Sequence, residues 1–219
     1  MKIKSLLLPV IALCVTAASS HAATTLVNST FEGSLGAWST SGSASLFTFS
    51  SGSNFASTGN GAANLPKAGG TITLTDALPL NTQAYTSVTI GFNYEWLNGS
   101  TTRKLEIQYA ADGSTFTTLA TLTSGNGGTG GTPGSLSITL LEGTDHTISG
   151  SGTILNTSFL PSFLDTAKFR FVDSASASAD VRVFVDDILI TGSPTFTVPE
   201  PSAALLGGLG MLALLRRRR

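Results

Sequence analysis

The side chains of this 219-residue chain that could carry catalysis are few and scattered. Of its two histidines, His21 lies near the N-terminus and His146 in the polar stretch Thr144-Asp145-His146-Thr147. No Gly-x-Ser-x-Gly elbow accompanies His146, so a Ser-His-Asp relay has no positioned nucleophile, and the residue reads as a surface loop histidine. Glycoside hydrolysis with retention needs two carboxyls about 5 to 5.5 Å apart. Glu95 and Glu106 could face each other if their segments form a hairpin, although surface pairing explains them better. No His-Glu-x-x-His metal pattern is present, and Gly125 to Gly134 has neither the lysine nor the strand-to-helix setting of a phosphate loop. The single cysteine, Cys14, falls in the N-terminal leader, which leaves the rest of the chain without thiolate chemistry or disulfides. No catalytic residues are assigned, and the chain reads as a non-enzyme.

The elements that must position these groups have a period of two. Val88, Ile90, Phe92, Tyr94 and Trp96 alternate with Thr89, Gly91, Asn93 and Glu95, which predicts a strand with one buried face. Leu105, Ile107 and Tyr109 continue the alternation after a turn containing Asn98-Gly99. Further strands are predicted at Phe116–Leu122, Ser135–Leu140, Ala167–Val172 and Val181–Ile190, with shorter ones at Leu46–Phe49 and Thr71–Leu74. Many short strands with Gly, Asn and Asp between them predict an all-β domain over residues 23–192, an antiparallel β-sandwich of jelly-roll type, followed by a linker at 193–198. Ring faces for sugar stacking would come from Trp38, Phe55, Tyr85, Tyr94, Trp96 and Tyr109. The two tryptophans are the ligand-binding candidates, yet Trp96 shares its face with Val88 and Ile90, so core packing competes with a stacking role for both.

Both ends of the chain are signals. Lys2 and Lys4, the apolar stretch from Leu6 to Ala18 and Ser20-His21-Ala22 form a secretory signal peptide over residues 1–22, cleaved between Ala22 and Ala23 by signal peptidase after passage through the translocon. A lipoprotein would use Cys14, but bulky Leu13 precedes it where a small residue is expected. At the other end, residues 199–219 comprise Pro199-Glu200-Pro201, an apolar run from Ala203 to Leu215 and Arg216, Arg217, Arg218 and Arg219. The arginines hold the terminus on the cytoplasmic side, which places Pro-Glu-Pro outside. Thirteen apolar residues rise only about 20 Å, short of a roughly 30 Å hydrocarbon core, so the hydrophobic helix is marginal as a permanent anchor. A plain tail anchor is the alternative. Without Lys2, Lys4 and the four arginines on one side and Glu200 on the other, six basic and twelve acidic residues remain, a net charge of −6. That excludes nucleic acid as a natural partner and favours solubility.

Val198-Pro199-Glu200-Pro201-Ser202, with Leu205 to Leu215 and the arginines behind it, resembles the PEP-CTERM sorting signal of Gram-negative bacteria. The resemblance implies processing by an exosortase and export across the inner membrane, through a transient anchor, to the cell surface or an exopolysaccharide matrix. Asn28-Ser29-Thr30-Phe31-Glu32 followed by Trp38, Tyr109 to Phe116, and Val185-Asp186-Asp187-Ile188-Leu189-Ile190 resemble phrases of carbohydrate-binding-module and galactose-binding-like jelly rolls. In that superfamily a structural calcium sits where the first strand meets the last, and the matching oxygen donors are Glu32 with Asp186 or Asp187. The competing reading makes the aspartates a solvated strand end, or partners of Arg170 or Arg182. Three functions follow: a matrix-associated surface protein, a module binding a defined glycan, and a glycoside hydrolase.

Overall fold

The computed structural model describes residues 22–49, 59–66, 69–80, 85–97, 103–123, 133–174 and 182–195, together with Gly210. All but Gly210 belong to one unit, Ala22–Phe196. The signal peptide through His21 and the sorting tail, apart from Gly210, lie outside the described residues, as do Phe55 and the Asn98-Gly99 turn.

Thirteen strands are described: β1 (Thr24–Ser29), β2 (Trp38–Ser41), β3 (Ser45–Thr48), β4 (Gly61–Leu65), β5 (Thr71–Leu74), β6 (Tyr85–Leu97), β7 (Lys104–Ala110), β8 (Thr117–Thr123), β9 (Gly134–Leu141), β10 (Thr144–Gly150), β11 (Thr153–Asn156), β12 (Lys168–Asp173) and β13 (Arg182–Pro194). They form two antiparallel sheets. The first runs β10-β9-β6-β13-β4-β3, with β1 also on β13, and the second runs β11-β8-β7-β12-β5-β2. The long strands β6 and β13 pair along nearly their whole length and form the spine of the first sheet.

The expected hairpin between β6 and β7 does not exist, because these consecutive strands belong to different sheets. Each has a correct alternation, but alternation reports which side chains are buried and not which strand is the neighbour. The expected linker also shortens. β13 extends through Ser193 and Pro194, which pair with Ser87 and Tyr85.

The core lies between the two inner faces. Val88, Ile90, Phe92, Tyr94 and Trp96 of β6 meet Leu105, Ile107 and Tyr109 of β7 and Phe169 and Phe171 of β12 in one cluster. Aromatic edges interlock there, with Phe92 against Phe171 at 4.8 Å between ring centroids and Tyr109 against Phe169 at 5.2 Å. Buried phenols need a partner, and two of them find a backbone carbonyl: Tyr94 Oη donates to Ser151 O at 2.5 Å and Tyr109 Oη to Ser162 O at 2.7 Å.

Two polar ties cross from sheet to sheet. Arg103, fully buried, pairs with the buried carboxylate of Asp173 at the end of β12 and donates through Nη2 to Leu65 O at the end of β4, at 3.2 Å. His146, on β10, is 4% exposed, and its Nε2 lies 3.1 Å from Leu119 O on β8. His146 is therefore not the surface loop residue its polar neighbours suggest. Those neighbours face outward, and a register shift between Thr144 and Thr147 turns the imidazole inward.

Candidate functional site

Trp38 is 3% exposed and Trp96 1% exposed. Trp38 packs on Phe171 and donates from Nε1 to Ser29 Oγ at 3.1 Å, while Trp96 meets the edge of Tyr94. Neither ring has a face open to a sugar. Tyr85, Tyr94 and Tyr109 are buried as well. The large hydrophobic side chains exposed among the described residues are all leucines: Leu97, Leu155, Leu160, Leu164 and Leu189. The half-buried rings are already covered. Phe47 and Phe49 pack on Phe184, Phe159 on Tyr109, and Phe116 lies beneath Arg170. A stacking platform built from exposed aromatic rings is thus absent among the described residues.

The expected calcium donors converge on one junction. Along one edge of β13, β1 pairs with residues 188 to 192 and β4 with residues 183 to 185, so Asp186 and Asp187 fall where one strand gives way to the other. A bulge there puts Asp187 at φ 49°, and Phe31, following β1, is at φ 54°. Both conformations are costly for residues other than glycine. Glu32 closes the junction: its carboxylate accepts the amides of Asn60 at 3.0 and 3.2 Å and Gly61 at 3.0 Å. Asp187 accepts from Asn93 Nδ2 at 3.1 Å, and Asp186 accepts the amide of Asp187 at 2.7 Å. No group of three or more His, Cys, Asp or Glu side chains placed to hold a metal occurs among the described residues. Glu32 thus acts as a latch between the segment after β1 and the start of β4.

Arg170 and Arg182, the alternative partners of the aspartates, make the following contacts among the described residues. Arg170 donates from Nε and Nη2 to Gln108 Oε1 at 2.8 and 2.5 Å, and its guanidinium carbon lies 3.9 Å from the centre of Phe116. Arg182 lies over Phe47, 5.9 Å from its ring centre.

Arg170 leads to a feature that sequence inspection missed. On the outer face of the second sheet, Arg170 lies opposite Gln108 in register. Gln108 Nε2 donates to Glu106 Oε2 at 2.7 Å and to Thr118 Oγ1 at 3.2 Å, and Thr118 Oγ1 donates to the same carboxylate oxygen at 2.9 Å. Burial pushes the Glu106 carboxyl up, but hydrogen bonds from Ser174, Thr118 and Gln108 and the charge of Lys104 outweigh it and hold the group below its ordinary value. Lys104 and Lys168 stand on the same two strands, and Lys168 Nζ donates to Thr75 O at 2.5 Å. The result is a pre-ordered polar row, Phe116-Arg170-Gln108-Thr118-Glu106, flanked by two lysines. Its signal in the sequence was the polar half of an alternation whose apolar half drew attention. Glu95 is on the other sheet, so no catalytic acid pair with Glu106 exists across a hairpin.

The described domain is an all-β sandwich of two antiparallel sheets. Residues 197–219 match the PEP-CTERM protein-sorting motif. The jelly roll is similar to the C-terminal family 22 carbohydrate-binding module of Clostridium thermocellum Xyn10B, at 16% identity over 80% of this chain and 96% of that one, with a TM-score of 0.42. It is similar too to the CBM22-1 xylan-binding domain from Paenibacillus barcinonensis Xyn10C, at 11% identity over 81% and 99% of the chains, with a TM-score of 0.45. A third likeness is to the receptor-binding domain of botulinum neurotoxin C/D mosaic serotype, at 11% identity and a TM-score of 0.50, over 84% of this chain and 51% of that one. At 11% identity this last likeness is one of fold alone. No curated protein matches the chain.

Proposed function

We propose that this chain is a non-enzymatic protein delivered to the cell surface or extracellular matrix, where its jelly roll associates with exopolysaccharide. The observation that carries the reading is the sorting motif at residues 197–219, preceded by a leader of signal-peptide type and an acidic, cysteine-free domain. The route uses the translocon and signal peptidase at one end and an exosortase at the other. Pro199, Glu200 and Pro201 are the recognition element, and Arg216 to Arg219 hold the tail in the membrane until it is removed. Fractionation of cells expressing Glu200→Ala and Pro201→Ala variants tests this. The expected outcome is retention of the variants in the inner membrane while the unaltered chain reaches the surface. Equal surface yield would overturn it.

A second reading, a module that binds a defined glycan, is favoured by the polar row on the second sheet. Fixed amide, carboxylate and guanidinium groups are suited to sugar hydroxyls, and they lose little entropy on binding because they already hold one another. A hydrolase is disfavoured by the separation of Glu95 from Glu106 into different sheets.

A further inference from the structure

The domain is acidic overall, with a net charge of −6 once both signals are removed, yet its charges are unevenly placed. Among the described residues of the domain the cations are Arg103, Lys104, Lys168, Arg170 and Arg182. Arg103 is buried against Asp173. Three of the other four stand on the adjacent strands β7 and β12. The described acids fall mostly elsewhere. Glu32, Asp76, Asp112, Glu142 and Asp165 are outside the strands, and Glu95, Asp145, Asp186 and Asp187 belong to the first sheet. Glu106 is the acid on the outer face of β7 and β12.

Register gives the spacing. Arg170 is opposite Gln108. Lys104 is four residues along β7 from Gln108, about 13 Å, and Lys168 is two residues along β12 from Arg170, about 7 Å in the opposite direction. The cations thus span roughly 20 Å along the strands. Around them the face is hydroxylic, with Ser39, Thr71, Thr73, Thr118 and Thr121 on neighbouring strands. The ring that could stack on a neutral sugar, Phe116, is capped by Arg170 at 3.9 Å. What this face offers a polysaccharide is hydroxyl partners and positive charge.

We propose that the outer face of β7 and β12 binds a linear glycan bearing carboxylates, with Arg170, Lys104 and Lys168 contacting its acidic groups. This rests on the matrix-association reading and specifies the ligand class for it. Glu106 serves two ends: it fixes Gln108 and Thr118, and its charge limits how densely anionic a ligand the face accepts. The domain's overall negative charge works in the same direction against compact polyanions.

The test measures binding of the full chain, purified in a mild detergent, to polygalacturonate and to the same polymer fully methyl-esterified, at low and high salt. Polygalacturonate is expected to bind and the ester, which keeps the backbone without the charge, is not. The double variant K104Q/R170Q is expected to weaken binding by roughly threefold or more, while R182Q on the other sheet removes the same kind of charge without effect. Glu106→Gln keeps the hydrogen-bonding shape and removes the repelling charge, so it is expected to bind more tightly, a gain that unfolding cannot produce. Equal binding of the ester, weaker binding by E106Q, or no binding of either polymer by the folded chain would overturn the proposal. Surface fractionation of the same variants reads matrix delivery separately, so failure of the ligand assignment is distinguishable from failure of the sorting reading.

Discussion

Arg103 is where a single side chain matters most for the fold. It and Asp173 are both removed from solvent, and the pair also holds Leu65 O, tying the end of β4 to the end of β12. Removing one partner leaves the other charge buried, a change that costs about 3 to 5 kcal/mol. Arg103→Met should therefore lower the melting temperature sharply, and Arg103→Met with Asp173→Leu should recover part of the loss. Equal destabilisation by the single and double variants would contradict this. Acid sensitivity has a different origin. Hydrogen bonds from the Phe159 amide and the Ser158 hydroxyl hold the Asp145 carboxyl below its ordinary value, and those from Thr115 and Ser114 do the same for Asp112. A depressed folded value means the unfolded chain takes up protons first, so this stability is present above a pH of about 4 and is lost as the pH falls further. Asp145→Asn should flatten the acid limb of the stability curve, measured by chemical denaturation at stepped pH. None of these roles was legible in the sequence, where Arg103 follows a polar turn and Asp173 opens a Ser/Ala-rich stretch. Burial of a charge depends on partners 38 and 70 residues away.

At the scale of the strand, alternation found the elements whose two faces differ in polarity and missed those whose faces do not. The expected Thr71–Leu74 is β5, and Ser135–Leu140 is β9 less its terminal residues. β4, Gly-Ala-Ala-Asn-Leu, is buried on both faces and lacks β-branched residues, so it carries no period of two. β10 is mainly polar, β11 has only four residues, and both lie at sheet edges. β4 is nonetheless exacting. A Cβ on Gly61 would come within 2.1 Å of Phe31 O, beside the amides that Glu32 holds. Gly61→Ala must move backbone at the junction of β1, β4 and β13, and an overpacking cost of about 1 to 3 kcal/mol is expected in thermal melts. Glu32→Gln should be milder, since the amide oxygen still accepts from Asn60 and Gly61. A milder G61A than E32Q would contradict the latch. Calcium gives a further check of this element: with Glu32 committed to backbone amides, added calcium should leave the melting temperature unchanged, whereas a rise would make the junction a metal site.

For the whole molecule, the most legible part of the chain was its C-terminal tail. Sorting signals are read by composition and order, which a sequence states directly, and residues 197–219 match their motif. The jelly roll was legible as a class, because periodicity and turn residues are local. The candidate ligand face was not, since a binding surface is made by strands that come together from distant positions. Trp38 and Trp96, for which core packing competed with stacking, are core, and a row of polar side chains is the candidate instead. The central claim is that this acidic jelly roll is delivered outside and then separated from its tail. The most direct test is the intact mass of the protein recovered from the cell surface or matrix. The predicted mass lacks residues 1–22 and the apolar segment with its four arginines. A surface protein that still carries residues 203–219 would contradict the claim and make the tail an anchor.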